Sequence, residues 1–210
     1  MLIRPIRADD KDALTRGLER LSSESRYRRF LRPVTSLNAR ELKYLTEVDY
    51  TSHFAWVAVN PDDPDDGWGV ARYVRDPKDP ETAEAAVAVV DDQQHRGIGA
   101  YLLQFLSASA IANGIHTFRG WVLGDNVEIL RPLERIGASR KPDHGVLKIE
   151  VELSADFEGS PAQEVLRAVA RGEFLPDQTN SSSGVITETS EINYGIRSRN
   201  RSPTQNEPSH

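Results

Sequence analysis

The chain has 210 residues, which suits one domain of ordinary size with some residues to spare. Its 26 basic and 32 acidic side chains give a formal charge of −6, and we expect no nucleic-acid partner, because binding to phosphates needs positive charge. Cysteine is absent, which excludes disulfides and a cysteine nucleophile, and no apolar run approaches the roughly 20 residues of a membrane helix. We therefore expect a cytoplasmic protein that has no membrane partner.

Apolar periodicity and turn signals predict alternating strands and helices through residue 153. In chain order, the predicted elements are a strand at 2–7, helices at 9–21, 25–31 and 38–45, strands at 53–59, 68–74 and 83–90, a helix at 97–113, a strand at 116–122, a helix at 126–136 and a strand at 145–153. Asp9 is the predicted N-cap of the first helix, and Asn38 with Glu41 forms a predicted capping box at the third.

The order of these elements predicts the architecture. Three consecutive strands in the middle of the chain favour antiparallel hairpins, whereas the strand–helix–strand unit over 83–122 predicts a parallel pair with a right-handed crossover. The expected fold class is therefore α/β (α+β), a mixed sheet with helices on both faces.

The end of the chain has a different composition. A short amphipathic helix is predicted at 161–171, and the polar segment from about residue 176 holds too few large apolar side chains to offset the entropy of ordering. We expect a folded domain over 1–155, a short helical segment over 156–175 and a disordered tail over 176–210.

A polar loop between the strand at 83–90 and the next helix is the most informative segment. It contains Gly97 and Gly99, and free backbone N–H groups at a helix N-terminus favour a phosphate or pyrophosphate. The loop is not a dinucleotide fingerprint, because Leu102 occupies the place of the third glycine. The five histidines lack the spacing of metal ligands, so no metal site is expected.

Residues 94–99 read Gln-His-Arg-Gly-Ile-Gly and resemble the Gln/Arg-x-x-Gly-x-Gly/Ala signature for acyl-CoA in the GNAT acetyltransferase superfamily. The opening segment 1–10, Asn126 and the segment 133–138 resemble further parts of that family in the right order, so the resemblance covers about 1–153. It implies the GNAT fold, a mostly antiparallel mixed sheet with a splayed central parallel strand pair. Segments 22–30, 71–73 and 83–84 look like the catalytic domain of Pat-type protein lysine acetyltransferases.

The resemblance also implies how the co-substrate acetyl-CoA binds. Its thioester carbonyl would be polarised by a backbone N–H at Val89 or Val90. The residues implied to bind its pyrophosphate are Gln94, Arg96, Gly97, Ile98, Gly99 and Ala100. Asn126 would contact the pantetheine arm or order the adjacent loop, and a helix N-cap explains its position equally well.

Glu84 is the candidate general base. A lysine amine is mostly protonated at neutral pH and needs a proton acceptor, and a carboxylate in this apolar strand could be desolvated, with a raised pKa. Glu84 also matches the glutamate of the Pat-type resemblance, although an outward-facing strand residue is the alternative. Many GNAT enzymes carry a tyrosine as general acid where this chain has Leu133. Here Tyr101 or a water would protonate the leaving thiolate, or the thiolate would leave without a general acid.

The expected function is that of an enzyme, an acetyl-CoA-dependent N-acetyltransferase acting directly on a primary amine, with protein lysine as the favoured acceptor. Two alternatives remain, a small-amine or antibiotic N-acetyltransferase and a non-catalytic acyl-CoA-binding sensor. The basic cluster of Arg26, Arg28 and Arg29 is interpreted as a solvated helix face rather than an acceptor entrance. The expected assembly is a monomer or a homodimer.

Overall fold

The computed structural model describes residues 1–135 and 138–153. The elements are β1 Leu2–Pro5, α1 Lys11–Glu19, α2 Ser23–Phe30, α3 Ala39–Thr46, β2 His53–Val59, β3 Gly67–Asp76, β4 Asp79–Val89, a 3₁₀ turn Asp91–Gln93, α4 Ile98–Ala112, β5 Thr117–Val122, α5 Val127–Arg135, β6 Ser139–Asp143 and β7 Val146–Glu152. The predicted helix at 161–171, the tail and the domain boundary near residue 155 lie outside the described residues. Within those residues, no helix is both long and apolar enough to cross a membrane.

The strands form one seven-stranded sheet in the order β1-β2-β3-β4-β5-β7-β6. β4 and β5 pair in parallel, and the other neighbours in this order pair antiparallel. The predicted mixed sheet with one central parallel pair is confirmed. β6 was not predicted, because a short segment with two basic residues and Pro142 has no strand pattern, yet proline is tolerated at the edge that β6 occupies.

Helices cover both faces of the sheet. α4 packs through Leu102 and Leu106 on the face that carries Ala83, while Leu18 of α1 and Leu21, which follows this helix, belong to a second cluster on the other side. Side chains alternate between faces along a strand, so neighbours of Ala83 on β4 face the layer of α1, α2 and α3. This alternation decides which residues meet each other around the site.

Local sequence signals set the helix ends. Asn38 and Glu41 form the predicted capping box of α3, with each side chain accepting from the other's backbone N–H. The prediction that Asp9 caps α1 is wrong, since Asp10 holds the N-cap position. The Asp10 carboxylate does not cap the helix either, because it accepts two hydrogen bonds from the buried Arg4 guanidinium, at 2.6 and 2.8 Å.

Candidate functional site

A gap between β4 and β5 lies at the centre of the sheet. The registered pairs between these strands are Thr82↔Thr117, Ala83↔Phe118 and Glu84↔Arg119. β4 then runs on to Val89 and β5 to Val122, without further registered pairing in the described sheet. Just past the last pair, a Cβ on Gly120 would stand 3.2 Å from the Ala85 carbonyl oxygen. The two strands are therefore still close at Gly120, just beyond their last registered pair, and among the described residues pairing is not continued after it. The predicted splayed pair is confirmed.

The backbone of β4 faces the gap at alternate residues. Val90 N–H donates to the Trp68 carbonyl at 3.0 Å, and Val89 stands opposite Gly69 in the same ladder. Hydrogen-bonded and non-hydrogen-bonded pairs alternate in an antiparallel ladder, so the N–H and C=O of Val89 point away from β3 and into the gap. The expectation for Val90 is corrected, because its N–H is held by Trp68. Val89 keeps an N–H that faces the gap.

The loop after β4 ends at an open helix N-terminus. Gly97 is the N-cap of α4, with a left-handed φ of 77° that favours glycine, and it has no side chain with which to cap the helix. The first hydrogen bond from this end runs from Tyr101 N–H to the Gly97 carbonyl at 3.1 Å. The N–H groups of the first turn, Ile98 to Ala100, precede that bond and are oriented toward the loop. The helix N-terminus is therefore uncapped by a side chain, and anion binding at it stays a prediction.

Two polar side chains of the loop have structural partners. Gln94 Nε2 donates to the Val89 carbonyl and to Asp91 Oδ1, both at 3.1 Å, so this amide braces the loop against the end of β4. The exposed Arg96 bonds to Gln93, and its guanidinium carbon lies 5.3 Å from the Trp68 ring centroid. The Arg96 charge lies beside the N-terminus of α4, where it adds to the positive end of the helix dipole.

Arg20, which follows α1, anchors the same loop. Its guanidinium donates to both carboxylate oxygens of Asp92, at 3.1 and 2.6 Å, and to Asp66 Oδ1 at 2.5 Å. The hydrogen bond from Arg20 is the main reason that the pKa of Asp92 is lowered to about 2. One arginine thus ties the turn before β3 to the loop before α4.

Glu84 lies at the apex of the gap, as the last residue of β4 paired with β5. Its side chain is on the opposite face from the buried Ala83, toward the layer of α1, α2 and α3. Glu84 is exposed, so the burial that was expected to desolvate its carboxylate is absent. At this position Glu84 can contact a substrate that enters the gap. The prediction that its carboxylate lies in an apolar environment is wrong.

Asn126 occupies the predicted position before α5. Its carbonyl accepts from Leu130 N–H at 3.1 Å, and its own N–H donates to the Leu123 carbonyl at 3.0 Å. Both bonds belong to the start of the helix, which agrees with the N-cap interpretation. A contact between the Asn126 side chain and acetyl-CoA stays a prediction.

No hydroxyl replaces the missing tyrosine at its own position. Leu133 packs with Leu130 and Ile149 in an apolar cluster under α5. Tyr101 lies in the first turn of α4, and its ring approaches within 3.9 Å of the place where a Cβ on Gly97 would stand. The tyrosine hydroxyl is therefore associated with the loop end of α4, and its role as an acid stays a prediction.

A buried arginine that the sequence reasoning had not assigned lies on the face of α1, α2 and α3. Arg72 of β3 is 5% exposed, and its Nη1 donates to His53 Nε2 at 2.9 Å. Burial and the nearby Arg72 charge lower the pKa of His53 to about 4, so the ring accepts this bond as neutral imidazole. A charged residue between Val70 and Val74 on an alternating strand was the signal in the sequence.

The basic cluster of α2 is divided among different environments. Arg28 pairs with Glu24 at 2.5 Å, and Arg26 donates to the Leu21 carbonyl at 2.8 Å. Arg29 is half-buried, with its guanidinium carbon 5.0 Å from the Phe30 ring centroid. The prediction of one solvated face is therefore incorrect for Arg29, which turns toward the sheet.

An open depression lies between α2 and the segment that follows β5. Its volume is about 490 Å³, and its lining residues are Glu24, Tyr27, Arg28, Leu123, Gly124, Asp125 and Gly145. Tyr27 is exposed there, Glu24 is paired with Arg28, and Asp125 contributes a further negative charge. Among the residues that the structure describes, no group of three histidine, aspartate or glutamate side chains could hold a metal ion.

Comparison with known proteins supports the assignment of the fold and family. No family model matches the chain. The chain is 38% identical over 156 residues to acetyltransferase Pat of Mycolicibacterium smegmatis, a match that covers 72% of this chain and 45% of that protein. It is 32% identical over 115 residues to acetyltransferase PA5475 of Pseudomonas aeruginosa, covering 54% of this chain and 61% of that protein. The chain thus spans about half the length of the curated relatives that it matches.

Solved structures show the same similarity. The GNAT domain of S. lividans PAT superposes with a TM-score of 0.66 at 29% identity, covering 72% of this chain and 89% of that one. A cAMP-binding acyltransferase from Mycobacterium smegmatis superposes with a TM-score of 0.52 at 31% identity, covering 80% of this chain and 52% of that one. The chain therefore has the fold of a GNAT domain.

Proposed function

Because this chain belongs to the GNAT acetyltransferase superfamily, with a domain like the catalytic domain of Pat-type acetyltransferases, we propose that it transfers an acetyl group from acetyl-CoA to a primary amine. One observation carries the proposal. The N–H of Val89 faces the gap between β4 and β5, next to a helix N-terminus whose first-turn N–H groups are directed toward the loop. The gap therefore offers donors for both a carbonyl oxygen and an anion.

The start of α4 would bind the pyrophosphate of acetyl-CoA. Backbone N–H groups from Ile98 to Ala100 supply the donors, and the absence of side chains at Gly97 and Gly99 lets an anion approach the backbone. Arg96 adds a full positive charge at the exposed rim. These features fit a negatively charged ligand without the help of a metal ion.

The Val89 N–H would polarise the thioester carbonyl, since it is fixed in the sheet before any substrate arrives. The amine nitrogen bonds to the carbonyl carbon, the bond from that carbon to sulfur breaks, and CoA leaves as a thiolate. Glu84 accepts the proton that the amine loses, directly or through a water. The exposed carboxylate at the apex can exchange that proton with solvent.

We further propose that the acceptor is a lysine side chain of a protein. The depression beside α2 is open to solvent and includes residues that directly follow β5. Glu24 is paired with Arg28 there, which leaves the Asp125 carboxylate as the group that suits a cationic side chain. A Pat-type domain is the family member that the chain resembles over most of the described residues.

The release of free CoA tests this proposal. The full chain is incubated with acetyl-CoA and either lysine-containing proteins or a panel of small amines, and acetylated products are identified by mass spectrometry. Turnover with protein lysine is the expected result. Turnover restricted to small amines would contradict the protein acceptor but retain the enzyme. Tight binding of acetyl-CoA without turnover on any acceptor would contradict the proposed enzyme and favour a non-catalytic acyl-CoA sensor.

A further inference from the structure

A small cavity lies between the sheet and the helices α1, α2 and α3, apart from the open gap. Its volume is about 80 Å³, and most of its lining is apolar, including Leu18, Phe30 and Val57. Arg29 and Arg72 are the two basic side chains in the lining. Ala88 and Val90 also line it, so it borders the strand segment that carries Val89 on its other side.

Arg72 lines this cavity and has no acidic partner among the described residues. Its Nη1 donates to His53 and its Nη2 donates to the Leu45 carbonyl at 3.0 Å, whereas its buried Nε has no hydrogen-bond partner among the described residues. No carboxylate of the described chain pairs with this guanidinium. Burial and the charge of Arg29 lower the pKa of Arg72 to about 9, which reflects a positive charge without a counter-charge.

The nearby carboxylates do not supply that counter-charge. Asp10 lines the cavity, but both of its oxygens are bonded to Arg4, and one of them also accepts from Arg7 N–H at 2.7 Å. Glu84 lies close enough to Arg29 to favour its charged form, yet Glu84 itself is exposed. The two arginines, one buried and one half-buried, therefore line a mostly apolar space without a buried carboxylate of the described chain to offset the Arg72 charge.

We propose that this cavity is a binding site for a small carboxylate, which pairs with the guanidinium groups of Arg29 and Arg72. A charged head offsets their positive charge, and a short hydrocarbon part contacts the apolar lining. The volume suits a ligand of the size of acetate or propionate. The same chemistry has two sources, a free carboxylate or the far end of a dicarboxylic acyl group carried by CoA.

Binding of a free carboxylate can be followed through His53, which bonds to Arg72. The full chain is titrated with sodium acetate or propionate against sodium chloride at equal ionic strength, while the His53 ring is followed by NMR. The titration is made at about pH 7, where the ligand is ionised, and a carboxylate bound beside Arg72 is expected to change the chemical shifts of the His53 ring saturably, because Arg72 Nη1 bonds to that ring. An equal response to chloride would overturn the assignment to a carboxylate.

Two substitutions separate the site from a structural role of the arginine. Arg72→Lys keeps a positive charge without the planar guanidinium that pairs with a carboxylate through two donors, and Arg29→Gln removes a charge from a half-buried helix position where folding is less at risk. Each is expected to weaken acetate binding by about tenfold or more. Binding of acetate that is unchanged in Arg29→Gln and in a folded Arg72→Lys would overturn the proposal.

The second source is tested with acyl donors, and only this arm rests on the proposed function. Rates of CoA release from succinyl-CoA and acetyl-CoA are compared in the wild type and in Arg29→Gln. A selective loss of about tenfold with succinyl-CoA supports a carboxylate at the end of the acyl chain. The absence of both saturable binding of free carboxylate and this selective loss would overturn the proposal, whatever the rate with acetyl-CoA.

Discussion

Glu84 and Arg119 form the last registered pair between the two parallel strands, so the proposed base marks the point at which the sheet opens. The Arg119 guanidinium has two acidic partners, because it donates to Asp76 at 2.9 Å and to Glu150 at 3.2 Å. The pair therefore joins a side chain with fixed partners on β5 to an exposed carboxylate on β4.

We expect Glu84→Gln to lower kcat by about 10²–10⁴-fold, because the amide cannot accept the proton from the amine. The KM for acetyl-CoA should stay close to the wild-type value, since Glu84 lies away from the loop before α4. Steady-state kinetics measure both constants. Glu81→Gln is the matched control, as Glu81 is also exposed on β4 but lies before the registered pairs. A full kcat in Glu84→Gln would exclude this residue as the base.

Gly97→Glu should weaken acetyl-CoA binding by more than about tenfold, since it places negative charge where the pyrophosphate is expected. The left-handed φ of 77° strains any substitution, so Gly97→Gln is the control with equal strain and no charge. Isothermal titration with acetyl-CoA compares the two. Equal affinities of the Glu and Gln variants would show that charge at this position does not affect the ligand.

Gly69→Ala should destabilise the protein by about 1–3 kcal/mol. The new Cβ would lie 3.0 Å from the Ala88 carbonyl oxygen and 3.1 Å from Leu102, so the backbone of β4 has to shift. Gly99→Ala is the control, because its Cβ would be in ordinary contact with Val89 at 3.6 Å. Urea unfolding measures both variants, and equal stability of the two would contradict the close approach at Gly69.

The low pKa of His53 makes folding depend on pH. As pH falls, the histidine of the unfolded chain is protonated before the folded one, so stability is complete above about pH 6.5 and decreases as pH falls toward 4. The loss is about 1–3 kcal/mol. Urea unfolding at about pH 7 and pH 4.5 should show a smaller difference for His53→Gln than for the wild type. An identical difference would place the pKa of His53 near its ordinary value.

Local signals explain which parts of the fold the sequence predicted. The capping box of Asn38 and Glu41 lies within four residues and was predicted, as were the two glycines before α4. The edge strand with Pro142 was missed, since its structure depends on pairing with β7 rather than on its own pattern.

The site was predicted less completely, because its properties depend on distant contacts. Glu84 is exposed on the face of α1, α2 and α3, and the pattern of the strand does not show how far helices cover that face. The Val90 N–H is not free to polarise a carbonyl because it donates to the Trp68 carbonyl, and Trp68 lies more than 20 residues earlier in the chain. The sequence shows Arg72 as a charged residue between Val70 and Val74. It does not show that its hydrogen-bond partners are a histidine ring and a backbone carbonyl rather than a carboxylate.

The alternation that directs the Val89 amide into the gap makes the site depend on whether a residue count is odd or even. Removal of one residue between Glu84 and Val89 would exchange the amides that face β3 with those that face the gap, and it would also move each side chain to the opposite face. Substitutions in this strand can change the site by degrees, whereas a single-residue deletion reverses it. The segment between the apex and the loop therefore accepts changes of residue type far more readily than changes of length.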